Sequence, residues 1–395
     1  MSEAVAKDPA GFSLQATGTG LLVAFIGFSS SFAVVLQGLR GIGASQAEAA
    51  SGLMALSVTM GLAGIYLSLR TRQPVSVAWS TPGAALLATT GAVEGGFAGA
   101  VGAFLICGLL IVLAGLWRPL GRWVSAIPPA LANAMLAGVL LTFCLQPVKA
   151  LAEGPALTLP VIVAWAVAWR FKRLYAIPVA LIVAVAAIAV TTELPPLDAV
   201  PLLPQPLFIL PEFSFGALVG VALPLFIVTM ASQNIPGIAV LNANGYRPAP
   251  GPLFATTGIF SLLSAPFGGH AVNLAAITAA LCAGEDAHPD PRRRYWAAVV
   301  SGAGYVVLGL FATAITAFVA AIPAYLFLTV AGLALLSAFA AALTESMAAV
   351  EDRLPAVVTF VGTASGLSFF GIGSAFWGLV AGIAMMALLR WRPGR

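Results

Sequence analysis

Long apolar runs separated by short polar stretches dominate the chain. Since a helix needs roughly 20 mostly apolar residues to cross a bilayer, this pattern predicts membrane spans. The clear candidates are residues 18–39, 47–69, 97–117, 123–146, 158–171, 175–192, 214–233, 251–266, 296–321, 324–344, 355–370 and 374–390. Two further apolar segments, 74–92 and 266–284, are interrupted, because each opens with proline and an extended stretch before an Ala- and Leu-rich half-helix. Counting both predicts an all-α polytopic membrane protein with about 14 spans.

The basic residues support this count. With the amino terminus inside, sixteen of the 18 Lys and Arg residues fall on the cytoplasmic side, and Arg40 and Lys149 fall on the other. Such a bias is typical of the positive-inside rule, and removing either interrupted segment would destroy the alternation downstream of it. We therefore expect both termini to lie in the cytoplasm.

The two interrupted segments stand third and tenth, which is the same place in each of two sets of seven spans. Because each set has an odd number of spans, the second set crosses the membrane in the opposite direction to the first. This is the arrangement of transporters built from inverted repeats. The sequence predicts a first repeat over residues 1–200 and a second over 201–395, joined by the proline-rich stretch 195–211.

Composition narrows the function. The chain is 60% apolar and 8% charged, whereas soluble domains are ~25% charged. This argues against a soluble enzyme, a disordered scaffold or a nucleic-acid partner, despite a net charge of +4. Cys107, Cys144 and Cys282 lie in apolar surroundings without metal-ligand spacing. We expect no metal, no cofactor and no enzymatic activity, since no nucleophile–base pair is evident.

The interrupted segments carry the candidate chemistry. Val75, Val77 and Trp79 alternate with small residues, which predicts a strand, and Ser80 or Thr81 is placed to cap a helix. In the second segment, Asn273 is predicted to cap the following half-helix. Inverted repeats would point the two helix N-termini at each other, making an anion site from backbone N–H groups and helix dipoles. Two merely kinked helices are the alternative.

Several polar residues are candidates for this site. His270 is the one ionisable side chain inside an interrupted segment, and imidazole titrates in the range of a proton gradient. Ser232 and Gln233 in the eighth span and Ser30 in the first are polar within the membrane, although such residues also join helices together. Trp79 either stacks on an aromatic ligand or fills the core.

Three runs resemble a known family. Residues 74–87 (PVSVAWSTPGAALL), 232–241 (SQNIPGIAVL) and 270–273 look like the benzoate–proton symporter family, BenE. More widely, the chain resembles the uracil permease and sulfate-exchanger superfamily. The resemblance implies seven plus seven inverted spans and commonly a homodimer. It also implies a core domain (18–117 and 214–321) that moves against a gate domain (118–195 and 322–391).

Carried over by position, the resemblance implies substrate contacts from the eighth span and both interrupted segments. With the polar and aromatic candidates of the first span, the predicted substrate-binding residues are Trp79, Ser80, Thr81, Ser232, Gln233, His270, Ala271, Asn273, Phe28 and Ser30. The nucleobase permeases carry carboxylates at the positions of Ser232 and His270, and this chain has none. The difference suits a carboxylate substrate, which a buried acid would repel.

With the resemblance, the sequence predicts a bacterial inner-membrane secondary transporter that imports benzoate or a related aromatic carboxylate with a proton. His270 is predicted to bind that proton. Two alternatives stay open. One is a transporter of the same fold for a nucleobase, sulfate or bicarbonate, and the other is an uncoupled anion channel.

Overall fold

The computed structural model describes residues 13–117, 119, 128–191, 205–275, 277–321, 323–367, 369 and 372–390. Several features predicted from the sequence lie outside these residues. They are the predicted repeat boundary at residue 200 with the linker as far as residue 204, the start of the span predicted at 123, the basic residues Arg118 and Arg122, and both chain ends.

The described chain is mostly helical. Its first part contains α1 (Leu14–Ser29), α2 (Phe32–Gly41), α3 (Gln46–Thr71), β1 (Val77–Trp79), α4 (Thr81–Thr90), α5 (Gly96–Leu116), α6 (Pro129–Cys144), α7 (Gln146–Glu153), α8 (Pro155–Phe171) and α9 (Ala176–Thr191). Its second part contains α10 (Phe215–Ala243), α11 (Pro250–Ser264), β2 (Val272–Leu274), α12 (Ile277–Ala283), α13 (Tyr295–Leu310), α14 (Ala312–Ala321), α15 (Ala324–Ser346), α16 (Arg353–Ala364) and α17 (Ser374–Arg390).

Several helical segments have the length and apolarity to cross a membrane. Six qualify among the described residues: Leu14–Gly41, Gln46–Thr71, Gly96–Leu116, Pro129–Glu153, Phe215–Ala243 and Ala324–Ser346. The α13 and α14 region qualifies as a seventh if its two parts, bent by 56°, count as one span. The prediction of a helical polytopic membrane protein is therefore confirmed, and the count of 14 stays a prediction.

Two segments predicted as unbroken spans contain breaks. The first span divides into α1 and α2 at Ser30 and Ser31, and the span predicted at 296–321 divides at Phe311. At the first break the hydroxyls of Ser30 and Ser31 both donate to the carbonyl of Gly27. Serine hydroxyls that bond back to the preceding turn compete with helical hydrogen bonds and bend helices.

Glycine allows the closest helix crossings. Helix α3 packs on α13, and α5 packs on α11. A Cβ atom at Gly302 of α13 would stand 2.6 Å from the carbonyl oxygen of Gly61 in α3. At the other crossing, a Cβ at Gly115 would stand 2.5 Å from the oxygen of Gly251. Such backbone-to-backbone packing is typical of membrane helices, where small residues replace the hydrophobic effect as the basis of association.

A second group of helices packs beside these. Helix α15 lies against α6, α7, α8 and α9, and α16 lies against α6 and α17. The contact between α8, α9 and α15 has an apolar cluster of its own, which includes Val161, Ile177, Leu326, Val330 and Leu333. The site described next lies between this second group and the strands β1 and β2.

Candidate functional site

The two strands meet inside the protein. They pair antiparallel, with Val77 opposite Leu274, Ala78 opposite Asn273 and Trp79 opposite Val272. The pairing continues at both ends, since the Ser80 amide donates to the carbonyl of Ala271 at 2.9 Å and the Ala275 amide donates to that of Ser76 at 3.0 Å. Each strand satisfies the other's backbone groups, which is what permits extended chain at membrane depth.

Helix α4 starts directly after β1. Ser80 is its N-cap, and the Ser80 hydroxyl accepts a hydrogen bond from the Gly83 amide at 3.1 Å. The same hydroxyl lies 2.8 Å from that of Thr229 in α10, which fixes the helix start against its neighbour. Pro82 occupies the first turn, where its missing N–H costs no intrahelical bond. The capping role predicted for Ser80 or Thr81 is therefore confirmed for Ser80.

The corresponding prediction for Asn273 is wrong. Asn273 lies within β2, and helix α12 begins at Ile277. Because residues 272–274 form the ladder with β1, the backbone remains extended past Asn273. The segment also starts differently from the prediction, since Pro266 belongs to a 3-10 turn and Gly268, with φ of 88°, redirects the chain before β2.

Helix α10 carries two π-helical turns, Leu218–Ala222 and Met230–Asn234. The second contains Ser232, Gln233 and Asn234, and π turns occur frequently at functional sites. The Asn234 carboxamide oxygen accepts from the Leu274 amide at 2.8 Å, and its nitrogen donates to the sulfur of Met230. Asn234 thereby binds the free edge of β2 to α10. The sequence reasoning did not assign it this role, because the pairing depends on tertiary contact.

Replacing Asn234 with Leu is expected to destabilise the folded protein by about 1–3 kcal/mol, since the buried Leu274 N–H would lose its acceptor. Thermal unfolding of the purified protein in detergent measures the effect. Asn244→Leu is the matched control, because the Asn244 side chain bonds only to Val240 within its own helix among the described residues. Equal stability of the two variants would contradict the assigned role.

A cavity of about 210 Å³ lies beside the start of α4. It is lined by residues of the first helix group from α1, β1, α4 and α10, and by residues of the second group from α8, α9 and α15. Of the predicted substrate-binding residues, Ser30, Trp79, Thr81 and Gln233 line it. The structure thus brings together residues from three segments that are far apart in sequence.

The other predicted residues are not part of the cavity lining. Phe28 packs edge-on against Trp79, with the ring centroids 5.4 Å apart. Ser232 donates its hydroxyl hydrogen bond to the carbonyl of Val228 in its own helix. Ser80, His270, Ala271 and Asn273 are fully buried around the strand pair.

The indole of Trp79 is held in place. Its Nε1 donates to the Ser31 hydroxyl at 2.9 Å, and Phe28, which packs against it, is itself stacked on Phe32. Since Ser31 occupies the break between α1 and α2, the broken first span and the first interrupted segment position one aromatic wall together.

His270 supports the strand–helix junction. Its Nε2 lies 2.9 Å from the carbonyl oxygen of Ser80, so this nitrogen donates and the neutral ring is the Nε2–H tautomer. Nδ1 is buried and has no hydrogen-bond partner among the described residues. The ring also packs edge-on near Phe104, with the centroids 6.3 Å apart. His270 therefore contacts the cap of α4 rather than the cavity.

The cavity lining also contains residues that the sequence did not indicate. Trp169 and Arg173 line it, and the Arg173 guanidinium carbon lies 5.5 Å from the centroid of the Trp169 ring. Arg173 counts in the sequence pattern only as a basic residue that signals topology. Nothing in the linear pattern distinguishes it from Arg170 and Lys172. Among the described residues, no cluster of His, Cys, Asp and Glu is arranged to bind a metal ion.

The family profile described as Benzoate membrane transport protein, BenE, matches residues 10–388. The chain belongs to the BenE family. It is therefore a membrane transporter, and the prediction that it is not an enzyme is confirmed by this membership.

Two relatives align over nearly the whole chain. "Inner membrane protein YdcO" of Escherichia coli strain K12 is 42% identical over 370 residues, covering 92% of this chain and 93% of the relative. "Benzoate membrane transport protein" of Acinetobacter baylyi is 34% identical over 381 residues, covering 96% of both.

Solved structures show the same fold. The transmembrane domain of the cyanobacterial bicarbonate transporter BicA aligns with a TM-score of 0.61 at 15% identity, over 94% of this chain and 98% of that one. SLC26A9 aligns with a TM-score of 0.62 at 15% identity, over 94% of this chain and 64% of that one. This BenE-family chain accordingly has an SLC26- and BicA-like fold.

Proposed function

We propose that this protein is a bacterial inner-membrane secondary transporter that imports benzoate or a related aromatic carboxylate by proton symport. The observation that carries the proposal is the cavity, which combines the capped start of α4 with the indole rings of Trp79 and Trp169. An aromatic acid needs a polar end and an apolar slot of this kind. The benzoate transport protein among its relatives supports the same substrate class.

The carboxylate would rest at the start of α4. Thr81 and Pro82 of its first turn line the cavity, so the positive end of the helix dipole is directed at a bound anion. Gln233 lines the same space and offers an amide donor. The ring would lie against Trp79, which Ser31 and Phe28 hold rigid. No acidic residue lines this cavity among those described, so nothing there repels the carboxylate.

The contacts between helices support the inverted repeat. Numbered as predicted spans, the α3–α13 crossing joins spans two and eleven, and the α5–α11 crossing joins spans four and nine. A two-fold axis that exchanges the repeats converts one of these pairs into the other. Both crossings have glycines in backbone contact, and the antiparallel pairing of β1 with β2 fits the same axis. We therefore propose seven plus seven spans, both termini being cytoplasmic.

Transport would follow from relative movement of two helix groups. The cavity lies between the proposed core domain, which supplies Trp79, Thr81 and Gln233, and the proposed gate domain, which supplies Trp169 and Leu333. A binding site at such an interface opens to one side or the other as the groups move. We further propose that the protein is a homodimer, by its resemblance to the superfamily.

Proton coupling is proposed to involve His270. Protonation at Nδ1 would place a positive charge next to the cap of α4, since Nε2 is bonded to the Ser80 carbonyl. The charge would strengthen the attraction between that helix start and an anion. Import of an anion alone against a negative interior costs about 2.3 kcal/mol per 100 mV, and a co-transported proton removes this cost.

Uptake of labelled benzoate into proteoliposomes tests the symport. Imposing an inward gradient of one pH unit is expected to raise the steady-state accumulation of benzoate about tenfold, since one unit of pH changes the driving force by about 1.4 kcal/mol per proton. His270→Ala is expected to retain benzoate binding but to lose most of the response to the gradient. His288→Ala is the control, because among the described residues the His288 imidazole bonds only to the backbone of Asp290, two residues away.

Each result has a definite meaning. Gradient-independent uptake by the wild type would overturn the symport, and a full gradient response in His270→Ala would exclude histidine from the coupling. Reversal potentials that follow the anion alone would instead favour the uncoupled channel.

A second candidate is transport of another anion. The fold is shared with a bicarbonate transporter and with an anion transporter of the SLC26 family, which supports anion handling in general. Competition of benzoate uptake by bicarbonate, sulfate and a nucleobase distinguishes the substrates. Stronger competition by one of these than by unlabelled benzoate would favour that compound.

A further inference from the structure

One wall of the cavity carries a charged residue, Arg173, that the proposed carboxylate site does not use. It is formed by the connection between α8 and α9, where Arg173 begins the 3-10 turn Arg173–Tyr175. Trp169, one helical turn earlier, lines the cavity as well. This wall lines the same cavity as Trp79 and Thr81 but belongs to the other helix group.

The charge of this wall is distinctive. Arg173 is the single formally charged residue among the described residues that line the cavity. Within the described chain it forms no ion pair and no side-chain hydrogen bond, and its guanidinium packs on the face of Trp169. Packing on an aromatic ring holds a guanidinium in place. Its N–H groups point outward in the plane of the guanidinium and stay available to an anion.

We infer that Arg173, supported by Trp169, is a second binding site for the substrate carboxylate, at the cytoplasmic end of the pathway. A guanidinium matches a carboxylate with two parallel N–H···O bonds, and the neighbouring indole offers an apolar surface to the ring. The α8–α9 connection carries Arg170, Lys172 and Arg173 together, which the positive-inside rule places in the cytoplasm. The inference rests on the proposed function and adds a receiving site to it.

The two sites lie on opposite sides of the interface between helix groups. A carboxylate held at the start of α4 is bound by dipoles and amide groups, whereas one held at Arg173 is bound by a full charge that is partly open to water. When the anion passes from the site at α4 to the site at Arg173, it leaves the buried site while it is still bound to the protein. Arg173 therefore sets affinity on the cytoplasmic side more than it sets the choice of substrate.

Binding of labelled benzoate to the purified full-length protein tests the inference. Two binding phases are expected in the wild type. Arg173→Gln is expected to weaken one of them about tenfold, the usual effect of losing a hydrogen-bonded charge, and to leave the other, at the start of α4, unchanged. Arg173→Lys keeps the charge without the planar fork and is expected to lose only about threefold. Arg170→Gln is the matched control, because it removes the same charge from an exposed position three residues earlier that does not line the cavity.

Displacement by benzamide, the neutral analogue, separates charge from structure. Benzamide is expected to compete less strongly than benzoate. Its affinity should be the same in Arg173→Gln as in the wild type, because it has no carboxylate that could contact Arg173. The inference is overturned if Arg173→Gln and Arg170→Gln bind benzoate alike. It is also overturned if Arg173→Gln weakens the binding of benzoate and of benzamide equally. Failure of the wild type to bind benzoate at all would instead overturn the proposed function on which the inference rests.

Discussion

Trp79→Ala is expected to lower benzoate uptake about 100-fold. Truncating a rigid, buried aromatic anchor commonly costs 2 kcal/mol or more of binding free energy, and about 2.8 kcal/mol corresponds to 100-fold. The effect should be large here because the indole lines the cavity while Ser31 and Phe28 fix its position. Initial rates in proteoliposomes at low benzoate concentration measure it.

Two variants make the result specific. Trp79→Phe keeps an aromatic wall but loses the hydrogen bond to Ser31, so its uptake should fall roughly tenfold. Trp377→Ala is the control, since Trp377 lies on α17, does not line the cavity and donates to the Phe369 carbonyl. Uptake by Trp79→Ala at the wild-type rate would show that the ring only fills space.

Gly302→Leu is expected to destabilise the protein by about 3 kcal/mol or more. The new side chain would begin 2.6 Å from the Gly61 carbonyl oxygen, and backbone on the facing helix cannot move aside as a flexible side chain can. The α3–α13 crossing would have to separate. Yield of monodisperse protein and its thermal midpoint in detergent measure the loss.

Gly18→Leu provides the comparison. Gly18 is also helical, but a Cβ atom at this position meets nothing within 4 Å. The same substitution should therefore change the midpoint little. A similar loss in both variants would mean that leucine itself, rather than the crossing, causes the damage.

The first interrupted segment was predictable in detail. Apolar residues alternate with small ones as far as Trp79, which predicts a strand. A small polar cap and Pro82 then predict the start of a helix, and the structure has Ser80 as that cap. Local chemistry decides this segment, because a side-chain cap and a proline in the first turn act within a few residues.

The second interrupted segment shows where local reasoning fails. Asn273 is an excellent helix cap by residue type, yet it lies in β2 opposite Ala78. Its partner in β1, Ala78, is 195 positions away in the sequence. The other edge of β2 is bound by Asn234 of α10, whose side-chain oxygen accepts from the Leu274 amide. Pairing energy from distant chain overrides a weak local preference.

That this chain is a helical membrane protein of the BenE family follows from its residues taken in order. Apolar length, scarcity of charge and the family motifs are properties of the chain read in order, and the bilayer requires them directly. Which candidates share a cavity depends on how the helices pack: Ser30, Trp79, Thr81 and Gln233 line it, whereas His270 contacts the cap of α4. The same packing brings Arg173 into the cavity lining. Membrane helices present side chains in every direction, so only their packing selects the few that face a common space.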